Sequence, residues 1–371
     1  MSTVRTNNIL DASGGNTATI NSMTPTADSL QGFRNRIING DMRIDQRNAG
    51  AAITVNSTGT FFPVDRFFGS GQATDGVFTL QQSSTAPSGF VNSVIATVTT
   101  ADASIGATQF YLFNQYIEGT NVADLAWGTA SAKTVTLSFW VRSSLTGTFG
   151  GVISNSAQNR SYPFTYTISA ANTYEYKTVT IAGDTSGTWL TTTGIGIRLH
   201  FDLGVGSTYR GTAGSWAGAT YLGATGATNV IGTLNATWYI TGVQLEVGSV
   251  ATPFERIDYG RELQLCLRYY QNSFNVGNQP GVSTSTSDAI HLLSWGDGNC
   301  SGFPFQIPMR AAPTVTLRAQ GSTTAGQVSS GGTDRSATAT NIGAKQVSFI
   351  AVTSGTANTY TRFTWEAASE L

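Results

Sequence analysis

Short runs in which every second residue is apolar constrain this chain more than any other feature of its sequence. The clearest run is 134–142, where Val135, Leu137, Phe139 and Val141 alternate with residues that are mostly polar. A period of two places alternate side chains on opposite faces of a β-strand. Many short strands of this kind favour an all-β fold built on an antiparallel β-sandwich. The same alternation recurs in 176–181, 195–201 and 238–246.

The composition favours strands over helices. Charged residues make up 11% of the 371 residues, against about 25% in an average soluble domain, and 42 residues are glycine. Long helical bundles need many more Glu, Lys, Arg, Leu and Ala side chains, so that class is excluded. The net charge of -1 gives no reason to expect nucleic-acid binding, because such binding requires the neutralisation of phosphates.

Changes in composition along the chain divide it into four segments. Residues 1–33 are small and polar, so they cannot build a core, and we expect an extended arm that needs a partner. Residues 34–256 hold most of the alternating runs and are assigned to the sandwich. Residues 257–271 are expected to form a short helical connector, and 272–371 are expected to form a smaller C-terminal β domain.

The connector carries an apolar stripe at helical spacing. Leu263, Cys266, Leu267 and Tyr270 recur at intervals of three and four residues, which is typical of one face of a helix. The spacing predicts a helix over 259–271, only about three turns long. Because so short a helix requires packing partners, we expect its stripe to make contacts between the chains of a homotrimer.

The sequence contains no recognisable catalytic motif. His200 and His291 have no evident partners, and GxSxG, HExxH and P-loop patterns are absent. The carboxylates of the sandwich segment are not paired by their spacing, whereas a glycosidase needs two that flank a bond. No signal peptide and no apolar run of membrane-spanning length is present. We therefore expect a non-enzymatic protein that is made in a cytoplasm and does not insert into membranes.

Aromatic residues in loops are the best candidates for a binding function. Tyr209, Trp216 and Tyr221 lie in a long stretch rich in Gly, Ala, Thr and Ser, and such loops are often functional. Trp295 and Asp297 share a turn in the C-terminal domain. Sugars stack on the flat apolar faces of aromatic rings, and a carboxylate accepts hydrogen bonds from their hydroxyl groups, so these five residues are candidate glycan contacts. Packing in the core or between chains is the alternative for each ring.

Several segments resemble the tail fibre proteins of tailed bacteriophages, including those of cyanophages. Segment 33–47 with 64–67 resembles the opening of a fibre module, and 239–248 resembles its closing strand. The resemblance implies a homotrimeric virion tail protein made in the host cytoplasm. Residues 1–33 would attach it to a tail or baseplate protein, and host surface polysaccharide or lipopolysaccharide would be its external partner. Further segments with this resemblance are 7–16, 251–255, 262–271, 308–315 and 363–367.

The sandwich segment is also similar to jelly-roll carbohydrate-binding modules, which hold a structural calcium ion between their two ends. The similarity lies in 39–42 near the start and in 241–245 near the end. It would make Asp41 and Glu246 the calcium ligands. Thr241 and Gly242 stand where those modules have two aspartates. No bound cofactor is therefore expected.

Three hypotheses about function follow. The favoured one is a tail fibre that adsorbs to host glycans through many weak contacts, without catalysis. The second is a trimeric tailspike depolymerase that cleaves host surface polysaccharide. The third is a purely structural fibre adaptor or baseplate protein with no glycan contact.

Overall fold

A computed structural model describes residues 33–56, 58–72, 75–275, 277–281 and 288–371. The arm expected over 1–33 lies outside the described residues, apart from Phe33. Within the described part, no helix is both long enough and apolar enough to span a membrane.

Most of the chain forms an antiparallel β-sandwich of the jelly-roll type, which confirms the predicted fold class. Two sheets of six strands each, sheet A and sheet B, face each other across the core. Sheet A contains, in spatial order, β1 (Ile53–Val55), β4 (Val77–Ser83), β5 (Ser93–Thr100), β14 (Thr237–Val247), β7 (Val135–Ser143) and β10 (Glu175–Ile181). Sheet B contains β2 (Phe61–Val64), β3 (Phe67–Gly71), β6 (Phe110–Glu118), β11 (Ile195–Val205), β8 (Gly147–Ser154) and β9 (Ser161–Ile168).

Aromatic side chains fill the space between the two sheets. Phe139 on β7 lies edge-on to Phe201 on β11, with ring centroids 5.2 Å apart. Phe113 on β6 packs against Trp238 on β14 at 5.8 Å, and none of these four side chains is exposed. Full burial of each such side chain contributes roughly 1.5–3 kcal/mol. The alternation in the sequence therefore corresponds to one core-facing and one outward-facing set on each strand.

The remaining elements of the sandwich are short. A two-stranded parallel ladder lies within the long stretch between β11 and β14. It consists of β12 (Arg210–Gly211) and β13 (Gly223–Ala224). The described 3₁₀ helices are Gly119–Asn121, Ala123–Leu125, Ser207–Tyr209 and Val230–Gly232.

The connector helix is shorter than the sequence predicts. Helix α1 covers Tyr259–Leu267, and the Asp258 side chain caps it by accepting hydrogen bonds from two backbone N–H groups. Strand β15 (Tyr270–Asn272) follows and pairs with β22 (Tyr360–Ala368). The prediction of a helix to residue 271 is thus wrong at its end, because backbone pairing with a distant strand replaces the last helical turn.

The apolar stripe of the connector is covered by the chain itself. Cys266 lies in a cluster with Ile38, and both are buried. Leu267 and Tyr270 are also buried, so the expectation that these three stripe residues contact sister chains is wrong. Leu263 alone of the stripe is partly exposed.

The C-terminal unit is a second β structure with its own core. Strand β22 lies at its centre and pairs with β15 and with three further strands. The Phe303 ring stacks at a tilt against Trp365, with centroids 4.6 Å apart, and both are buried. The other strands are β16 (Ile290–Leu293), β17 (Cys300–Ser301), β18 (Thr314–Ala319), β19 (Gln327–Ser330), β20 (Thr333–Ile342) and β21 (Val347–Val352).

Ion pairs join the C-terminal unit to the sandwich. Glu370 binds Arg66 and also Arg47, the latter at 2.8 Å. Arg47 in turn lies 3.2 Å from Asp65. Burial alone would raise the pKa of Glu370, but the two guanidinium groups hold that pKa below its usual value. The end of the chain is therefore held against the sandwich by charge.

Candidate functional site

An open groove crosses the outer face of sheet B and has a volume of about 460 Å³. Adjacent strands supply its floor, because Arg198 on β11 lies opposite Tyr116 on β6, and Asn114 on β6 lies opposite Phe68 on β3. These are the outward-facing positions, which alternate with core residues on the same strands. The lining residues are Thr58, Gly59, Thr60, Phe68, Ser70, Gly71, Gln72, Phe110, Leu112, Tyr116, Gln158, Arg198, His200, Tyr209, Thr220 and Leu222.

Aromatic rings and a guanidinium group form the floor of this groove. The Phe68 ring meets Tyr116 edge-on, with centroids 4.9 Å apart. The Arg198 guanidinium lies over the Tyr116 ring, 4.4 Å from its centroid. Burial raises the pKa of Tyr116, so its hydroxyl stays protonated at neutral pH. The floor thus offers an aromatic surface beside a fixed cation.

His200 lies in the groove as a neutral imidazole of defined tautomer. Its Nδ1 is 2.7 Å from Oδ1 of Asn114, while the Asn114 amide nitrogen donates to Ser70 Oγ at 2.9 Å. Since Asn114 Oδ1 can only accept, His200 Nδ1 carries the proton. Burial, aided by the nearby Arg198, lowers the pKa of His200 to about 3. Its Nε2 is therefore an unprotonated acceptor that is buried and has no hydrogen-bond partner among the described residues.

One wall of the groove comes from the long stretch between β11 and β14. Tyr209 packs edge-on against Phe110, with centroids 6.2 Å apart. Arg210 holds this wall in place by donating to the backbone oxygens of Val205 and Ala224, at 2.6 and 2.7 Å. The sequence predicts either a functional or a disordered loop here, and the structure shows an ordered one.

Arg210 also forms an ion pair with a buried carboxylate beneath the wall. Its guanidinium lies 3.4 Å from Asp202, whose side chain is fully buried. Burial raises the pKa of Asp202 to about 7, although Arg210 opposes the shift. A side chain at Gly223 would collide with this carboxylate, so glycine is required at that position for close approach.

The predicted glycan contacts of the long loop have different environments. Tyr209 lines the groove, whereas Tyr221 packs on Gly211 outside the lining. Trp216 is partly buried between Trp127 and Trp189, with ring centroids 5.3 and 5.4 Å away. Its indole N–H donates to a backbone oxygen at 2.7 Å. The Trp216 ring is therefore part of the packing of the sandwich, and its role as a sugar contact stays a prediction.

The predicted contacts of the C-terminal unit share one turn, as expected. Trp295 is 47% exposed and tilts over Phe349, with centroids 5.5 Å apart. Asp297 orders the turn by accepting hydrogen bonds from the backbone and side-chain nitrogens of Asn299. This turn presents an accessible ring, but none of its residues lines the sheet B groove.

The two conceivable calcium ligands are engaged by groups of the protein. Arg43 binds Asp41 at 2.5 Å. Glu246 accepts hydrogen bonds from the backbone nitrogen and hydroxyl of Thr252, at 2.8 and 2.6 Å, and from Gln244. In the part of the chain that the structure describes, no three His, Cys, Asp or Glu side chains come together as a metal site.

The outer face of sheet A carries another groove, with a volume of about 490 Å³. Trp140 and Tyr176 lie in it with ring centroids 5.3 Å apart, and Tyr176 is 42% exposed. Arg256 lies over the Phe90 ring at 4.8 Å. This groove lacks an equivalent of the His200 and Asn114 pair among its described lining residues.

Most residues of the sheet B groove are not among the candidate contacts predicted from the sequence. Arg198 and His200 alternate with the apolar residues of the run 195–201, so their position on the outer face of the sheet was predictable. The position of Tyr116 was not predictable, because the clear alternating runs of the sequence do not include it, although it lies within β6.

No protein-family model matches the chain, and no curated protein matches it. Solved structures give matches at low similarity. A putative sugar binding protein from Bacteroides thetaiotaomicron is 12% identical, with a TM-score of 0.32 over 58% of this chain and 100% of that chain. A family 11 carbohydrate-binding module from Clostridium thermocellum, in complex with a mixed-linked tetrasaccharide, is 12% identical, with a TM-score of 0.27 over 54% and 100%.

A phage protein is also among the solved structures with low similarity. The enzymatically active domain of tailspike protein 4 from bacteriophage CBA120 is 12% identical, with a TM-score of 0.30. The match covers 58% of this chain and 21% of the tailspike chain. Similarities as low as these carry no weight for function.

Proposed function

We propose that this protein binds glycans of a host cell surface through the sheet B groove, as part of a phage tail fibre and without catalysis. The observation that carries the proposal is the groove floor, where the partly exposed Tyr116 ring lies beneath the Arg198 guanidinium and packs against the buried Phe68 ring. Sugars present both apolar ring faces and hydroxyl groups, and this floor is complementary to both. Its volume lies within the range of small-ligand sites.

The groove chemistry supports binding rather than bond cleavage. Among the described lining residues there is no carboxylate, whereas glycoside hydrolysis normally needs two that flank the bond. Asp202 lies on the same strand face but is buried beneath the wall and paired with Arg210. The release of reducing ends from host polysaccharide by the purified protein would contradict this part of the proposal.

Assembly in the virion is the second part of the proposal, and it rests on the resemblance of the sequence to tail fibres. Residues 1–33 would attach to a tail or baseplate protein, and three chains would present three grooves. The C-terminal unit supports a contact between chains, because Leu293 and Tyr360 lie opposite each other in the sheet and are 60% and 58% exposed. Linking several weak sites raises avidity by about 10²–10⁴. Light scattering should give the mass of a trimer, and a stable monomer would contradict it.

A glycan array followed by calorimetry tests the binding site. Tyr116→Ala should weaken binding of the best array glycan by about tenfold, because it removes the central ring of the floor. Trp140→Ala is the matched control, since it removes a large ring from the outer face of the opposite sheet. If Trp140→Ala rather than Tyr116→Ala abolished binding, the site would lie on sheet A.

A further inference from the structure

Arg198 is the only charged side chain among the described residues that line the sheet B groove. Its Nε donates to the backbone oxygen of Ser156 at 3.3 Å, and its guanidinium rests on the Tyr116 ring. Among the described residues it has no carboxylate partner within ion-pair distance, in contrast to Arg160, Arg210 and Arg268. A guanidinium that is held in place but not neutralised is a binding group for an anion.

The other ionisable groups near the groove do not cancel this charge. His200 is neutral at physiological pH, for the reasons given above. Asp202 is buried and lies 3.4 Å from Arg210, so its carboxylate is paired with a cation of the wall and does not face the groove. The groove therefore presents a net positive charge to a ligand, although the chain as a whole has a net charge of -1.

We propose that the glycan bound in this groove is acidic, with the carboxylate of a uronic acid residue paired to Arg198 and its sugar ring lying against the Tyr116 side chain. This inference rests on the proposed function and specifies the class of ligand. The planar guanidinium matches the two oxygens of a carboxylate and can bind both. Its stacking on Tyr116 limits the conformational freedom that is lost on binding.

The test compares acidic oligosaccharides with their own neutral derivatives. Oligomers of galacturonate, alginate and hyaluronate are titrated into the full-length protein, each beside a form whose carboxyl groups have been reduced to primary alcohols. At least one acidic oligomer should bind about tenfold or more tightly than its reduced form. The preference should fall as sodium chloride is raised, because salt screens a partly exposed ion pair.

Substitutions assign the preference to Arg198. Arg198→Gln should lose the preference for the acidic form and keep the weak binding of the reduced form. Arg198→Lys should keep part of the preference, since it retains the charge but not the planar fork. Arg256→Gln, on the outer face of sheet A, is the matched control and should behave as the wild type. Circular dichroism of each variant confirms that the fold is retained.

The outcomes separate this inference from the proposed function. Neutral glycans bound at the groove with no acidic preference would overturn the inference and leave glycan binding intact. An acidic preference that survives in Arg198→Gln would also overturn it, by moving the anion site elsewhere. Failure to bind any glycan, acidic or neutral, would overturn the proposed function itself.

Discussion

The Arg268 guanidinium binds both carboxylate oxygens of Glu118, at 2.7 and 3.0 Å. Glu118 ends strand β6 of the sandwich, and Arg268 directly follows helix α1. Tyr269 adds a third hydrogen bond to the same carboxylate at 2.8 Å. Burial alone would raise the pKa of Glu118, but these donors lower it below its usual value. One carboxylate thus ties the connector and the C-terminal unit to the sandwich.

Arg268→Gln should destabilise the protein by about 1–3 kcal/mol, because it removes two charged hydrogen bonds from a buried carboxylate. Urea unfolding followed by tryptophan fluorescence measures the change. Arg261→Gln, at an exposed position of the same helix, should change stability by less than about 0.5 kcal/mol. Equal effects of the two substitutions would show that the Glu118 contact contributes nothing specific.

Trp216→Ala should lower stability by about 2–4 kcal/mol without weakening glycan binding in the groove. The ring packs against Trp127, Trp189 and Tyr162, so its removal leaves a cavity at the end of the sandwich. Thermal unfolding and calorimetry with the array glycan measure the two effects separately. Trp295→Ala removes a more exposed ring and should cost less stability. A loss of glycan affinity without a loss of stability would restore Trp216 as a contact.

The strands were predictable from sequence because their alternation records which face is buried. The run 134–142 matches β7 closely, and 238–246 falls within β14. The end of helix α1 was not predictable, because Tyr270 continues the helical spacing but pairs with Ala368 nearly at the end of the chain. A pairing between such distant residues leaves no local signal.

The groove was harder to predict than the fold for the same physical reason. Its floor joins Phe68, Tyr116 and Arg198, which come from three strands that are adjacent only in the folded sheet. Sequence reasoning favoured rings in loops, and of the three in the long loop only Tyr209 lines the groove. The packing of Trp216 against Trp127 and Trp189 was not predictable, because those two residues are remote in sequence.

Asp202 should make the protein less stable as the pH rises from about 4 to about 8. Burial raises its pKa in the folded state from the ordinary value of 3.8 to about 7. The folded protein therefore holds the proton more tightly than the unfolded chain. The resulting stabilisation is complete below the pKa that Asp202 has in the unfolded chain. It is lost as the pH rises through the pKa of Asp202 in the folded protein. Asp65, with a pKa raised to about 6, acts in the same direction.

Asp202→Asn isolates this contribution. The free energy of unfolding of the variant should increase relative to wild type as the pH rises across this range, because the amide does not ionise. Chemical unfolding at a series of pH values gives the comparison. Asp297→Asn, at an exposed position, is the control and should show a nearly constant difference from wild type over the upper part of the range. A constant difference for Asp202→Asn too would mean that Asp202 does not titrate there.

Calcium should leave the melting temperature unchanged. The sites suggested by resemblance are Asp41, which is bound by Arg43, and Glu246, whose oxygens accept from Thr252 and Gln244. A calcium ion needs six to eight oxygen ligands and would have to displace these donors. Differential scanning calorimetry with added calcium and with a chelator tests this expectation. A rise of several degrees with calcium alone would show that a metal site exists.

His200 should remain neutral in the folded protein well below its ordinary pKa. Burial is the main cause and the nearby Arg198 adds to it, so the pKa falls to about 3. The chain has two histidines, and the other, His291, is exposed, so their ring signals can be assigned by substitution. NMR titration should show a constant His200 signal, with a Nδ1–H tautomer, from about pH 8 to about pH 5. A midpoint near the ordinary histidine pKa of 6.5 would contradict the burial of this ring.

The lowered pKa of His200 should also reduce the stability of the folded protein in acid. The unfolded chain takes up a proton on His200 as the pH falls below about 6.5, whereas the folded protein does not. Stability that is present above that pH is therefore lost progressively towards pH 3. His200→Gln removes the titrating group, so the variant should lose less stability than wild type between about pH 6.5 and about pH 4. Parallel losses in the two proteins would show that other groups account for acid unfolding.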